Sequence, residues 1–220
     1  MTDAARWRQL AVVSLGALLA LAPWFGAGAV APNLVEAWSL GGLDLPVLTV
    51  AVQLGFVAGA LLLALSGAAD VIAAQRLFFL GAVVAAAANL GFVVAGDFLA
   101  ALPYRFLTGF GLAAVYPVGM KLVVGWFRRD RGLAIGTLIG ALTMGSASPY
   151  LFRALSTMAE LDWRAVIAVS SLSALLGGVL VLFVGRDGPY DQRAAGFSLD
   201  AARQAFRSPA VRLANLGYLG

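Results

Sequence analysis

The chain has no cysteine and no histidine. Without cysteine there is no disulfide framework, no thiolate metal ligand and no thiol nucleophile. Without histidine there is no imidazole ligand, and the usual general base of a serine hydrolase is missing. Charge is scarce as well. Only 12% of the 220 residues are Asp, Glu, Lys or Arg, about half of what a soluble domain carries. What remains is 61% hydrophobic, with a mean hydropathy of +0.91. That composition is an integral membrane protein of all-α class. No catalytic group, metal site or cofactor is expected, and the chain does not read as an enzyme. The 15 basic residues flank apolar runs instead of forming a soluble basic face, so nucleic acid is not an expected partner. Membrane lipid is.

Six apolar runs are long enough to cross a bilayer as helices. They cover residues 10–31, 45–65, 77–95, 98–127, 132–150 and 164–184. The first run resembles a signal peptide, with Ala29-Val30-Ala31 in place of a cleavage site. Its length and the spans that follow favour a transmembrane helix. Between the runs lie a connector at 33–44, a polar turn at 66–76, a two-residue turn at Gly96-Asp97, the charged run 128–131 and an interfacial connector at 151–163. Residues 1–184 are therefore expected as a transmembrane domain, and 185–212 as a linker. Within the linker, Leu199, Ala202 and Phe206 recur at helical spacing beside Arg203 and Arg207, the pattern of a surface helix. Residues 213–220 read as the start of a seventh span.

Charge placement orients the spans. If Arg6 and Arg8 lie on one side, so do Arg76, Arg128, Arg129, Arg131 and the five arginines of the tail. The other side receives only Arg153 and Arg164, offset by Glu36, Asp44, Asp97, Glu160 and Asp162. The positive-inside rule puts the N-terminus in the cytoplasm, in a membrane of bacterial inner (plasma) type.

Residues 25–32 (FGAGAVAP) and 110–117 (FGLAAVYP) match at five of eight positions, 85 residues apart. Chance accounts for some of this, because Gly, Ala and Val fill any membrane helix. Taken as real, the match pairs spans 1–3 with spans 4–6 in inverted topology, an architecture tied to alternating access.

Polar residues inside the spans are few, and each is a candidate. On an ideal helix, Thr108 and Tyr116 fall within about 60° of Arg105, a shared face that could line a cavity. The competing reading has Arg105 snorkelling towards the surface near Asp97. Lys121 points about 160° away and lies about 24 Å along the axis, so it reads as a snorkelling boundary residue. Gln53 in span 2 and Trp24 in span 1 join Arg105, Tyr116 and Thr108 as candidates for substrate binding or coupling. Asn89 is expected to bond a neighbouring helix. In span 5, Gly132, Gly136 and Gly140 repeat every four residues, followed by Gly145 and Pro149. This is the spacing of a close helix seam that is fixed or slides.

Arg105, Gly109 and Gly111 resemble the fourth-helix pattern of the major facilitator superfamily. Gly136, Gly140, Gly145 and Pro149 are similar to its fifth-helix pattern, without the usual Gly-Pro pair. Residues 66–76 sit where the family's loop motif between helices 2 and 3 belongs, but the motif is eroded to Asp70 and Arg76. The resemblance covers essentially the whole chain and implies one half of a twelve-helix fold: a six-transmembrane-helix bundle of two inverted three-helix repeats. It implies a secondary transporter for a small-molecule substrate, one that works by alternating access with the missing C-terminal six-helix half. A coupling proton or ion is a further implied partner. In the family, Asp70, Arg76 and Gly109, with the glycines and proline of span 5, would serve gating or packing. Nearest in pattern is the nitrate/nitrite and cyanate uptake branch with its uncharacterised relatives, so a small anion is an expected solute. Span 2 has no arginine, however, and the chain does not read as a nitrate carrier. The alternative is a stand-alone six-helix protein acting as a dimeric channel or assembly factor.

Overall fold

The computed structural model describes residues 3–190, 207–209 and 211–213. The expected surface helix at 199–206 lies outside the described residues, as does nearly all of the expected start of a seventh span.

Among the described residues, five stretches are long and apolar enough to cross a membrane: Asp44–Ser66, Ala74–Val94, Phe98–Val124, Arg131–Met158 and Trp163–Val184. The first expected span is not among them. Instead of one helix at 10–31, the chain forms α1 (Asp3–Ala20), a turn, α2 (Gly26–Ala29) and α3 (Ala31–Trp38). Proline is the reason. Pro23 has no N–H to give the carbonyl of Leu19, and its ring obstructs the preceding turn. The backbone tightens locally, with Ala22 N donating to Leu19 O and Trp24 N to Leu21 O, each across three residues. Ser173 reaches in from another helix and donates its hydroxyl to that same Leu19 carbonyl at 3.0 Å. A carbonyl freed inside an apolar bundle has thus found a second donor.

The second span is α4 (Asp44–Ser66), followed by the short α5 (Ala68–Val71), and the third is α6 (Ala74–Gly91), extended by a 3-10 turn at Phe92–Val94. The fourth span is also broken, into α7 (Phe98–Leu112) and α8 (Tyr116–Val124). Ala114 N and Val115 N turn to carbonyls three residues back, and Pro117 opens α8 at a position where no N–H is needed. Pro32 opens α3 in the same way. The two arms of the repeated octapeptide therefore carry a helix restart at the same place.

Span five is longer than expected. As α9 it runs from Arg131 to Met158, and Pro149 sits inside it. Residues 151–158, read from sequence as a connector, are helix. The carbonyl that Pro149 leaves without a partner belongs to Gly145, and Ser148 donates its hydroxyl there at 2.7 Å. With the loss repaired locally, the helix continues. The last span is α10 (Trp163–Val184), started by Asp162, whose carboxylate accepts from Arg164 N at 2.8 Å.

Close packing comes from selected glycines. A Cβ on Gly109 of α7 would fall 1.8 Å from Val52 O of α4, and one on Gly55 would fall 1.9 Å from Phe106 O. A Cβ on Gly145 of α9 would meet Leu18 O of α1 at 2.1 Å. The expected seam at Gly132, Gly136 and Gly140 is different. Nothing lies within 4 Å of a Cβ built at any of the three. That row lies on an exposed face of α9.

At one end of the bundle, Trp38, Phe92 and Trp163 pack edge to face, with ring centroids 5.6 to 6.4 Å apart. At the other end, the start of α1, the 125–131 turn and the segment after α10 are knitted together. Buried Gln9 donates to Val184 O and accepts from Arg186 N. Arg6 pairs with Asp130 at 3.5 Å.

Candidate functional site

The break at Pro23 exposes backbone carbonyls inside the bundle, and Arg105 meets them. Its side chain, on α7, is 2% exposed. Nη1 donates to Pro23 O at 3.1 Å and Nη2 to Trp24 O at 2.6 Å, with a longer contact from Nη1 to Asn89 Oδ1 at 3.5 Å. The ring of Phe92 lies 5.9 Å from the guanidinium carbon. No ion pair to Arg105 is present among the described residues, and its Nε is buried without a hydrogen-bond partner. Asn89 of α6 is fixed from behind, because its Nδ2 donates to Ile167 O at 3.2 Å and to Ser171 Oγ at 3.0 Å on α10. A chain of contacts thus runs from α10 through α6 and α7 to the broken first span.

On the other side of Trp24 lies an open cleft of about 270 Å³, lined by Leu21, Trp24, Phe56, Tyr116, Ile139, Leu142, Thr143 and Ser146. Its aromatic wall is ordered. Trp24 meets Phe56 edge to face at 5.3 Å, and Phe56 stacks on Tyr116 at 6.4 Å between centroids. Each ring comes from a different span, and two of them sit at the helix breaks. Trp24 lies in the turn after α1, and Tyr116 is the first residue of α8. Among the described residues, no charged side chain lines the cleft. It offers π faces, the tyrosine and threonine hydroxyls and a serine, a surface that suits a solute with an apolar or aromatic face more than a bare anion.

The structure separates the face expected of span 4. Trp24 and Tyr116 line the cleft, whereas Arg105 and Thr108 do not. Arg105 turns into the bundle. Thr108 is buried and gives its hydroxyl to Tyr104 O, one turn back on its own helix, at 2.7 Å. A single 100° wheel cannot show this, because the turn at 113–115 changes the phase between α7 and α8. Gln53 is exposed on α4 and is not part of the cleft wall. Phe56, on the same helix, is. Phe56 carries no polar group to mark it in the sequence, and Thr143 and Ser146 are two among many hydroxyl side chains in the spans.

The remaining candidates lie elsewhere. Lys121 does not simply snorkel: its Nζ donates to Ala69 O in α5 at 2.7 Å. The backbone of Asp70 lies in α5, and its side chain is outside the described residues; Arg76 is exposed near the start of α6. Gly109 and Gly145 are close-approach positions, Pro149 is buried within α9, and Gly136 and Gly140 face open space. Among the described residues, no group of three or more carboxylates could hold a metal ion.

A family model described as Major Facilitator Superfamily matches residues 13–219. Among solved structures, the chain is similar to that of the MFS proton:xylose symporter XylE bound to 6-bromo-6-deoxy-D-glucose. The TM-score is 0.62 with 17% sequence identity, over 86% of this chain and 46% of that one. At that identity the likeness is one of fold, and the chain spans less than half the length of the symporter. No curated protein matches it in sequence.

Proposed function

This chain belongs to the Major Facilitator Superfamily, and on that premise we propose that it forms one half of a secondary transporter moving a small solute by alternating access. The observation that carries the proposal is the aromatic cleft. It joins three spans at two helix breaks, and one of those breaks is held by a buried arginine. Broken helices near a binding site are what such transporters use to place backbone and side chains around a solute. In this reading the segment from α1 to α3 is a sixth, discontinuous crossing. The matching restarts at Pro32 and Pro117 support two inverted triplets.

The rest of the site would come from a second six-helix half. The open row of Gly132, Gly136 and Gly140 is read as the seam against it, where absent side chains allow two backbones to slide. Asp70 and Arg76 keep their reading as gating groups at the end that carries the basic residues, and that end is taken as cytoplasmic in an inner membrane.

Arg105 is not offered to an anionic solute, because its fork is occupied by the carbonyls of Pro23 and Trp24. Gln53 and Thr108 are likewise read as lying outside direct contact. The cleft supports a neutral or weakly polar solute with a flat face, held by Trp24, Phe56 and Tyr116. The nitrate/nitrite and cyanate branch remains a reading of motif residues, and the cleft adds nothing to it. Among the described residues, no carboxylate lines the cleft.

The test is uptake by the complete transporter in proteoliposomes. Trp24→Leu and Tyr116→Leu should each weaken apparent solute affinity about tenfold, the scale of one lost aromatic contact of about 1.5 kcal/mol. Gln53→Leu should leave it unchanged. Equal effects at all three positions would overturn the assignment of the cleft. A channel or assembly factor would show no saturable uptake.

A further inference from the structure

One end of the bundle concentrates positive charge that the aromatic cleft does not use. Between the end of α8, the start of α9 and the segment following α10 lies a second cleft, of about 510 Å³. Lys121, Arg128 and Arg131 line it together with Val124 and Tyr190, and no carboxylate among the described residues does. A neighbouring hollow shares Arg128 and Tyr190 but includes Asp3, which offsets part of its charge. The two exposed guanidinium groups of Arg128 and Arg131 beside one space favour an anion between them.

Each cation is held by its surroundings. The guanidinium of Arg128 lies 4.5 Å over the ring of Tyr190. Tyr190 is itself tied down, since its N–H donates to Gly125 O at 2.9 Å, and Trp126 Nε1 donates to Arg186 O at 2.9 Å just before it. Arg131 gives its Nε to Phe127 O at 2.6 Å, which leaves its two Nη nitrogens for a ligand. Lys121 is fixed at Ala69 O and still adds charge to the wall. The cleft is preformed.

Its height in the bundle points to the ligand. The apolar part of span 4 ends at Val124, and α9 begins at Arg131, so the cations sit where hydrocarbon gives way to headgroups. Val124 gives the cleft an apolar wall, and Leu133, 61% exposed, follows Arg131 into α9. Tyr190 and Trp126 have the apolar body and polar tip favoured at that level.

We propose that this cleft binds the phosphate of an acidic phospholipid. Arg128 and Arg131 take its oxygens, Lys121 supplies a third charge, and the acyl region lies against Val124. Planar guanidinium forks match phosphate oxygens in pairs, and basic pockets at the cytoplasmic ends of spans attract such headgroups.

Native mass spectrometry of the purified chain, titrated with phosphatidylglycerol or phosphatidylcholine, tests this directly. The wild type should retain phosphatidylglycerol about tenfold better than phosphatidylcholine, and Arg128→Gln with Arg131→Gln should remove most of that preference. Both arginines are exposed, and an unchanged melting temperature in phosphatidylcholine would show that the double variant folds. Arg8→Gln, an exposed cation at the same end outside the cleft, should keep the preference. Loss with Arg8→Gln of the same size would mean diffuse attraction and overturn the site. Displacement of phosphatidylglycerol by equimolar inorganic phosphate would overturn the lipid assignment in favour of a soluble oxyanion.

Discussion

Arg105 is a charge buried without a carboxylate partner among the described residues, and its energetics follow from that. Taking a guanidinium out of water costs several kcal/mol. Hydrogen bonds from a charged donor return about 1.5–3 kcal/mol each, so the two good bonds to Pro23 O and Trp24 O roughly offset the burial. The residue therefore contributes little net stability and much definition: it sets where the broken first span lies and so where Trp24 stands. Arg105→Met should lower stability only modestly, by about 1–3 kcal/mol, because lost bonds and lost desolvation largely cancel. Uptake should fall far more than stability does, and Arg105→Lys, with a compact donor in place of a fork, should recover part of it. Thermal unfolding in detergent, measured beside uptake, checks the pair. An Arg105→Met protein with normal transport would show that the break needs no anchor. The charge itself was plain in the sequence. Its partners were not, since they are backbone atoms of residues 81 and 82 positions away.

Hydroxyls take the place of the donors that two of the prolines remove. Ser173 serves Leu19 O across the bundle, and Ser148 serves Gly145 O within α9. The first pairing makes a sharp prediction. Ser173→Ala alone should cost about 1 kcal/mol, because the Leu19 carbonyl keeps only its long bond from Ala22 N. In a Pro23→Ala background, where residue 23 regains an N–H, the same change should cost close to nothing. A double-mutant cycle on unfolding free energies measures the coupling, and additive effects would sink the idea. The repair also shows what sequence reading reaches. Spans 2, 3 and 6 were legible to within a few residues because unbroken apolar runs leave no alternative. Span 5 was cut short because Arg153, Glu160 and Asp162 make residues 151–163 read as an interfacial connector, although the helix runs on to Met158. The break in span 1 escaped because Pro23 sits in an apolar run. The aromatic cleft was half legible: Trp24 and Tyr116 stood out, but Phe56 looked like any lipid-facing residue until α4 was docked on α7.

Across the whole molecule, first and last spans are bound to each other. Gln9 uses both ends of its amide to join α1 to the end of α10, and a Cβ on Gly16 or Gly177 would collide with the facing helix. Gln9→Ala should cost about 1–3 kcal/mol by orphaning Val184 O and Arg186 N. It should also speed amide exchange at residues 185–190, which hydrogen exchange with mass spectrometry would resolve; unchanged exchange would mean that the segment is held by Trp126 and Gly125 alone. The same long-range dependence governs how the protein is made. Pro23 leaves the first span incomplete until Arg105 and Ser173 have been synthesised, 82 and 154 residues after the carbonyls they serve. At ribosomal speeds of about 5–20 residues per second, those donors arrive roughly 4–16 s and 8–31 s later. For that interval the carbonyls of Leu19, Pro23 and Trp24 lack these long-range donors. The shape of the break at Pro23 is therefore complete only after the chain has been made through Ser173.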